Sequence, residues 1–320
     1  MDRFQGISAF VAVARAGGFS SAARQLGDPL ATVSRRVADL EAELKVRLFH
    51  RSTRRVELTE QGRTFYAACR RLLDDLRDAE ESISGEYRAP KGDLTVTAPV
   101  GFGQQHLQPV CLEFLRAYPD INLRLLLLDR VINLLEEHID VALRISELPD
   151  SSLVARPLGH IRMVVCASPG YLATHGTPSH PLELGAHDCI AWSALGAASS
   201  WWFRENDRDQ QYPVQVRFAT TIAESAVAAA EEGLGFAQIT SYQAEHALTS
   251  GRLQRVLADF ECRPTPVSLV YSTSRLVPLK LRAFLDFTAP RLEDRLANIE
   301  RCLSNPRVRH PGSGRSRPAQ

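Results

Sequence analysis

The chain lacks any long uninterrupted run of apolar residues. Its longest strongly apolar stretch, Leu123 to Leu128, is broken by Arg124, whereas a helix that crosses a bilayer needs roughly 20 consecutive apolar residues. The N-terminal residues also lack the charged, apolar and small-residue succession of a signal peptide. The sequence therefore predicts no membrane partner, and we expect a cytoplasmic protein.

The sequence also lacks the motifs of metal sites, disulfide frameworks and common enzymes. Its cysteines form no C-x-x-C pair, its nine histidines show no ligand spacing, and Gly101-x-Gly103 lacks the third glycine of a dinucleotide fingerprint. There is no nucleophile elbow, zinc-protease motif or P-loop. We therefore expect no metal, no cofactor and no enzymatic activity. Reduced, buried thiols are favoured, with a redox pair of Cys166 and Cys189 as the alternative.

Charge is distributed unevenly along the 320 residues. Residues 1–77 hold 14 basic and 9 acidic side chains, residues 301–320 hold five arginines and no acid, and the stretch between them has an acidic excess. Only three of the 38 basic side chains are lysine. A basic head on an acidic body predicts a polyanionic partner for the head. The length and average composition predict roughly two or three globular domains.

Three helices are predicted before residue 45. Apolar residues at helical spacing predict a first helix over residues 3–15, and Ser20 and Gly27 mark the start and end of a second. Asp28 is predicted to cap a third helix with Pro29 at its first position. Its buried stripe is predicted to consist of Val33, Val37, Leu40 and Leu44. Two short helices joined by a tight turn, the second with polar residues at its start, are typical of a helix-turn-helix.

A basic turn and a long helix follow. The turn at residues 51–55 precedes the alternating Val56 and Leu58, which predicts the strand of a wing. Thr59 is predicted to cap a helix that runs to about Ser84. Apolar residues on this helix follow heptad spacing, and the candidate dimerisation residues on it are Phe65, Leu72, Leu76 and Ile83.

Residues 12–26 (AVARAGGFSSAARQL) and 33–62 (VSRRVADLEAELKVRLFHRSTRRVELTEQG) resemble the DNA-binding domain of LysR-type transcriptional regulators. This chain departs from the family at Asp28-Pro29-Leu30, where an apolar residue, a serine and then glutamine or proline are usual. Arg35 is a candidate bidentate partner for guanine, and Leu30 offers only apolar contact, such as with a thymine methyl. The predicted DNA-binding residues are Ser20, Thr32, Ser34, Arg35, Arg36, Arg51, Thr53, Arg54 and Arg55. Alone, a basic turn is usually a solvated surface loop and a helix pair with a glycine turn is usually ordinary packing, but together, in this order and with this resemblance, they favour DNA binding.

Strands alternate with helices beyond a predicted hinge at residues 88–93. This alternation predicts α/β structure with a largely parallel sheet. The predicted helices include residues 104–118, 131–137, 223–231 and 278–285, and the strands between them include residues 94–98, 121–128, 163–167 and 267–271. The predicted fold is α/β, with an N-terminal winged helix-turn-helix that is rich in α-helix.

Four segments, at 92–103, 140–145, 148–159 and 231–239, resemble the LysR effector-binding domain. The resemblance implies two α/β lobes, as in type 2 periplasmic binding proteins, with an effector cleft between them. Exposed amides near residues 101–103 are predicted to hold a carboxylate. The alternative is that Arg144 forms a surface or interlobe ion pair and that the glycines only form turns. The predicted effector-binding residues are Pro99, Val100, Gly101, Phe102, Arg144, Trp192, Ser193, Thr221, Gly235 and Phe236.

The domain boundaries predicted from these patterns are 1–58 for the winged helix-turn-helix, 59–90 for the linker helix and hinge, and 91–300 for the effector domain. Its lobes are residues 91–161 with 267–295, and residues 162–266; residues 301–320 are predicted to form a disordered basic tail. The resemblance implies a transcription factor that binds promoter DNA and a small-molecule effector. It also implies a homodimer, paired again as a homotetramer, and leaves RNA polymerase open as a partner. An effector-binding protein without regulatory output is the alternative, but it leaves the helix-turn-helix unexplained.

Overall fold

The computed structural model describes residues 2–51, 56–84, 89–130, 132–134, 137, 139–148, 153–192, 199–272 and 277–304. For residues 51, 71, 74, 75 and 77–84 the description covers the backbone alone. The chain divides into two compact units, Met1–Arg88 and Ala89–Gln320. None of the helices in the described ranges is long and apolar enough to cross a membrane.

The first unit combines helices with a short hairpin. The helices are Arg3–Ala16 (α1), Phe19–Leu26 (α2), Leu30–Leu44 (α3) and Glu60–Ser84 (α4), and the antiparallel strands are Phe49–Arg51 (β1) and Val56–Leu58 (β2). The stripe predicted on α3 is confirmed, because Val33, Val37 and Leu40 are fully buried and Leu44 packs against the same cluster. This arrangement is the predicted winged helix-turn-helix.

Two predicted helix starts in this unit are wrong. Ser20 lies inside the first turn of α2, which begins after Gly18, and Pro29 rather than Asp28 occupies the N-cap of α3. Because Asp28 precedes the N-cap, its carboxylate makes no capping bond and instead pairs with Arg36. The cap predicted at Thr59 is confirmed, since its Oγ1 accepts a hydrogen bond of 2.9 Å from Gly62 N.

A buried carboxylate fixes the start of the hairpin. Glu41 on α3 is 7% exposed, and its Oε1 accepts hydrogen bonds from Leu48 N at 2.8 Å and Phe49 N at 3.1 Å. Bonds to an ionised acceptor are stronger than neutral ones. Glu41 therefore connects α3 to the entry of the wing.

The second unit contains two five-stranded sheets and a hairpin. The strands of the first sheet are Gly92–Ala98 (β3), Ile121–Leu127 (β4), Val141–Ile145 (β5), Leu153–Ile161 (β6) and Thr265–Ser272 (β14). Those of the second sheet are Met163–Ala167 (β7), Asp188–Trp192 (β8), Gln215–Thr220 (β11), Phe236–Thr240 (β12) and Gln254–Val256 (β13), and the hairpin is Ser200–Glu205 (β9) with Arg208–Pro213 (β10). The first sheet has the order β4-β3-β5-β14-β6, and the second has the order β11-β8-β12-β7-β13.

The prediction of a largely parallel sheet is wrong, because both sheets are mixed. Strand β14 runs antiparallel to β5 and β6, and β7 runs antiparallel to β12 and β13. The sequence pattern did not reveal β6, since Pro157 lies in its middle. Proline is tolerated there because β6 is the edge of its sheet and its backbone need not donate on both sides.

The helices of the second unit differ from prediction at residues 131–137 and at the end of the last helix, and two of them, residues 169–175 and 241–249, were not predicted. The helices are Val100–Phe102 (α5), a π-helical segment Gly103–Leu107, Gln108–Ala117 (α6), Pro169–His175 (α7), Ala223–Glu231 (α8), Ser241–Thr249 (α9) and Leu279–Ser304 (α10). The described part of the predicted helix at 131–137, residues 132–134 and 137, is not helical. The last helix does not end at Leu285, because it continues through Pro290 to Ser304 and so includes the first residues of the predicted tail.

Helix α10 contributes to the cores on both sheets. Leu292, Leu296 and Ile299 pack in the cluster of the first sheet, and Leu303 packs with Val164 and other residues of the second. Arg255 on β13 donates a hydrogen bond of 3.1 Å to Leu303 O, which satisfies a carbonyl that has no intrahelical partner at the helix end. The final turn of α10 is therefore anchored rather than frayed.

Replacing Leu303 with alanine should lower the free energy of unfolding by about 2 to 5 kcal/mol, because it opens a cavity in a packed core. Leu303 is 2% exposed, whereas Leu279 on the first turn of the same helix is 40% exposed. The control Leu279→Ala should cost less than about 1 kcal/mol. Urea denaturation followed by tryptophan fluorescence measures both, and equal losses would mean that the last turn is not anchored.

Candidate nucleic-acid interface and effector cleft

The outward face of α3 presents one cation without a partner. Arg35 is exposed, and within the described ranges it forms no ion pair or hydrogen bond with another side chain or with the backbone. Thr32 and Ser34 are half-buried beside it, and Leu30 at the helix start is 49% exposed. A free guanidinium with two hydroxyl groups nearby can bind base edges and phosphates.

Arg36, the next residue, is in a different electrostatic state. Its Nη1 pairs with the Asp28 carboxylate, and the two side chains are 23% and 30% exposed. The positive charge of Arg36 is therefore already matched by an anion of the same chain. Adjacent arginines of α3 thus offer unequal attraction to a polyanion.

The other predicted DNA-binding residues lie on α2 and the wing. Ser20 is exposed in the first turn of α2. Strands β1 and β2 flank the basic turn, with His50 opposite Glu57. The side chain of Arg51 and the residues Thr53, Arg54 and Arg55 lie outside the described residues.

The predicted dimerisation seam of α4 has an inner and an outer part. The Phe65 ring lies 5.5 Å from the Phe10 ring, and Cys69 is 4% exposed, so both pack within the first unit. Further along the helix, Leu72 is 52% exposed and Leu76 is 40% exposed. The side chain of Ile83 lies outside the described residues.

The first strand-helix junction of the second unit is occupied by the chain itself. Val100 N donates to Asp129 Oδ1 at 2.9 Å, and Gly103 N donates to Pro99 O at 2.7 Å. The Tyr242 ring packs edge-on against the Phe102 ring, with centroids 5.2 Å apart. The expectation of free amides for a carboxylate is therefore wrong at Gly103. A side chain at Gly101 would come within 3.0 Å of Gln243 Nε2, so α9 lies directly against this turn.

A buried aromatic cluster lies beneath this junction. The rings of Phe102, His106 and Tyr242 are 4.9 to 5.6 Å apart. His106 is 6% exposed, its Nδ1 accepts a hydrogen bond of 3.1 Å from Arg295 Nε, and its Nε2 has no hydrogen-bond partner among the residues that the structure describes. Burial, and then the Arg295 charge, lower the pKa of His106 to about 4. The imidazole is therefore neutral at neutral pH, and Phe102 is core rather than cleft.

Arg144 is a half-buried cation at the end of β5. Its Nη2 donates to Ile132 O at 2.8 Å, and in the part of the chain that the structure describes it has no acidic partner. Burial lowers the pKa of Arg144 because water is removed from its charged form. The alternative of an ion pair between lobes is not observed for Arg144. An unpaired guanidinium in this environment is suited to binding an anion.

The remaining predicted effector residues do not form one lining. Phe236 is fully buried between the rings of Tyr171 and His187, at 5.3 and 5.2 Å. Trp192 Nε1 donates a hydrogen bond of 2.8 Å to Gln238 O, and the Trp192 side chain is half-buried. Three further predicted positions, Pro99, Val100 and Thr221, are at least partly exposed. A side chain at Gly235 would clash with Asp188 O at 2.1 Å. Ser193 lies outside the described residues.

Other chemistry receives no support from the described ranges. They contain no group of three or more His, Cys, Asp or Glu side chains that could hold a metal ion. Cys166 and Cys189 are both buried, and burial raises the pKa of each thiol to about 12. A protonated thiol is a poor nucleophile, so the redox alternative is not supported.

Two family models match consecutive parts of the chain. The model described as "Bacterial regulatory helix-turn-helix protein, lysR family" matches residues 4–63. The model described as "LysR substrate binding domain" matches residues 88–293. Both compact units are therefore similar to known domains.

Several known proteins are similar over most of the chain. An HTH-type transcriptional regulator of Xanthomonas campestris is 36% identical over 287 residues, which cover 88% of this chain and 83% of that protein. The solved structure of CrgA, a LysR-type transcriptional regulator from Neisseria meningitidis, is 34% identical, covers 90% of this chain and 98% of its own, and has a TM-score of 0.57. The full-length structure of the Vibrio cholerae virulence activator AphB is 30% identical over 88% of this chain and 97% of its own, also with a TM-score of 0.57.

The low pKa of His106 predicts a pH-dependent stability. The unfolded state has the ordinary value of 6.5 and the folded state a value of about 4, so the unfolded state binds more protons between these values. Stability is therefore unaffected above pH 6.5 and falls as the pH is lowered toward 4, by about 3 kcal/mol in total.

Comparing the free energy of unfolding of wild type and His106→Phe from pH 7 to 4 measures this contribution. The variant should lose less stability on acidification, whereas His160→Phe, at an exposed imidazole on β6, should follow wild type. Parallel curves for wild type and His106→Phe would show that His106 is not held neutral by the fold.

Proposed function

We propose a division of work within this chain, which belongs to the LysR family of transcriptional regulators and is a DNA-binding transcription factor that responds to a small-molecule effector. In this proposal α3 and the wing bind promoter DNA, α4 joins two copies, and the second unit binds an organic anion at Arg144. The proposal assigns no enzymatic activity, and its DNA partner favours a cytoplasmic location.

The unpartnered Arg35 is the observation that supports base recognition most directly. It is exposed beyond the first turn of α3, and the opposite face of that helix is fully buried. A guanidinium in this position can donate two parallel hydrogen bonds to guanine. Thr32, Ser34, Ser20 and the arginines of the wing contact phosphates and set the position of α3 in this proposal.

Arg35→Ala should reduce sequence preference more than general affinity. Loss of a bidentate base contact costs about 1 to 3 kcal/mol, or roughly 5- to 150-fold, on the preferred site only. The preferred site is first selected from random DNA with the wild-type protein, and both kinds of DNA are then titrated across salt concentrations. Arg15→Ala, at an exposed arginine that ends α1, is the matched control for charge. Equal losses on selected and random DNA would remove Arg35 from base recognition.

The exposed apolar side chains of α4 support association of two copies. Leu72 and Leu76 are a heptad step apart, and both remain accessible in one chain. A helix of 25 residues is about 38 Å long, and a partner helix would bury these leucines as a coiled coil does. We extend the proposal to a tetramer of two such dimers, and to RNA polymerase as the partner whose access to the promoter is changed.

Arg144 supports an anionic effector. Removing a charge from water is costly unless an anion compensates it, and among the described residues Arg144 has the Ile132 carbonyl as its hydrogen-bond partner. A small carboxylate would supply the missing charge and accept two hydrogen bonds in a planar arrangement. The guanidinium, rather than the amides of the neighbouring helix, carries recognition in this proposal.

A carboxylate ligand should stabilise the protein only while Arg144 is present. At a hundredfold excess over Kd a ligand adds about 2.7 kcal/mol to stability, which is measurable as a melting shift. Benzoate, succinate and glutamate are suitable probes, with benzamide as the uncharged counterpart of benzoate. The shift from any positive acid should disappear in Arg144→Met and persist in Arg130→Met, since Arg130 is 60% exposed and already paired with Glu137. Persistence in Arg144→Met would make Arg144 structural.

A further inference from the structure

The turn between α2 and α3 carries a carboxylate that is not used as a helix cap. Gly27 ends α2 with φ 68°, and Asp28 N donates to Ala23 O at 3.1 Å. The next residue, Pro29, occupies the N-cap of α3, so the Asp28 carboxylate makes no bond to the amides of the first turn. Its bond is to Arg36, eight residues further along the chain.

The ion pair of Asp28 with Arg36 makes the two neighbouring arginines of α3 electrostatically different. Arg35 has no partner in the part of the chain that the structure describes, whereas Arg36 is held by Asp28 on the flank that it shares with Thr32, one helical turn earlier. A guanidinium that already has an anion gains less from a phosphate, because the first pair must be broken. The carboxylate itself, 30% exposed at the start of α3, also repels a polyanion.

We propose that Asp28 is a specificity-determining residue, because it keeps Arg36 from attracting DNA phosphates. Attraction to phosphates is independent of base sequence and supplies most of non-specific binding. Suppressing it at Arg36 leaves Arg35 as the cation that α3 offers to base edges, and so raises the ratio of specific to non-specific affinity. The inference rests on the proposed binding of DNA by α3.

Releasing Arg36 should therefore strengthen binding to random DNA. In Asp28→Asn the slope of log affinity against log salt concentration should become steeper by about 0.9. If the two proteins bind equally at 1 M salt, this corresponds to roughly an eightfold gain in affinity at 0.1 M salt. Arg36→Gln alone should not make the salt dependence steeper, because it releases no cation. In the double variant the extra slope of Asp28→Asn should disappear. Asp28→Ser also removes the charge and should reproduce the result of Asp28→Asn.

The control is Asp39→Asn. Asp39 is an exposed carboxylate on the same helix, and it has no hydrogen-bond or ion-pair partner in the described ranges. Its substitution changes the net charge equally but releases no arginine. An equal increase in slope for Asp39→Asn would overturn the inference, because net charge would then suffice as the cause. A slope for the double variant Asp28→Asn, Arg36→Gln that is smaller than that of wild type would also overturn it, since Arg36 would then already contact a phosphate.

The outcomes separate this inference from the proposed function. A wild-type protein that binds neither selected nor random DNA would refute both. A wild-type protein that prefers its selected site through Arg35, together with an unchanged slope in Asp28→Asn, would refute the role of Asp28 alone. A steeper slope and a lower ratio of selected to random affinity in Asp28→Asn, both reversed by Arg36→Gln, is the result expected.

Discussion

A guanidinium group does not lose its proton in a protein, so an arginine that is removed from water must keep an anion or a carbonyl beside it. This constraint is severe here, because nearly all positive charge is carried by arginine. Arg255 and Glu261 are 8% and 4% exposed and share two hydrogen bonds of 2.5 and 2.6 Å. The same Arg255 bonds the last turn of α10, so this buried ion pair also fixes the helix that packs on both sheets.

The same constraint separates structural arginines from functional ones. Arg295 pairs with Glu245, and Arg162 pairs with Glu300, so each satisfies its charge within the fold. Arg35 remains hydrated instead, and needs no partner until it meets another molecule. Arg144 is intermediate, because it has lost part of its water and gained only a carbonyl. The arginines without anions are thus the ones from which binding is inferred.

Local signals in the sequence determined the first unit well, and contacts between distant residues explain most of the errors. The stripe of α3 and the cap at Thr59 depend on residues within one or two turns, so they could be predicted. The last helix was predicted to end at Leu285, whereas packing on both sheets keeps α10 helical through Pro290 to Ser304.

The candidate cleft was harder to predict for the same reason. Asp129 occupies the Val100 amide from 29 residues away, and Tyr242 packs against Phe102 from another helix. No periodicity reports such partners. Phe102 and Phe236 lie at strand-helix junctions, where the pattern could not distinguish a ring that lines a cleft from one that belongs to a core. Arg144 was predicted from its position in the segment that resembles the LysR effector-binding domain, and not from its contacts.

The contacts between the elements of the two sheets indicate how binding could change the second unit. Gln105 on the π-helical segment donates to Glu224 on α8 at 3.2 Å. The pair of Arg295 with Glu245 joins α10 to α9, and the pair of Arg162 with Glu300 joins the residue before β7 to α10. Beside the apolar packing of α10 and the buried ring cluster of Phe102, His106 and Tyr242, these contacts are polar and partly exposed, and each contributes about 1 kcal/mol or less. At a hundredfold excess over Kd an effector adds about 2.7 kcal/mol to stability, which is more than any one of these contacts contributes. Because a ligand shifts an equilibrium only by its difference in affinity between two states, exchanging one or two such contacts requires no more energy than a moderately bound anion supplies.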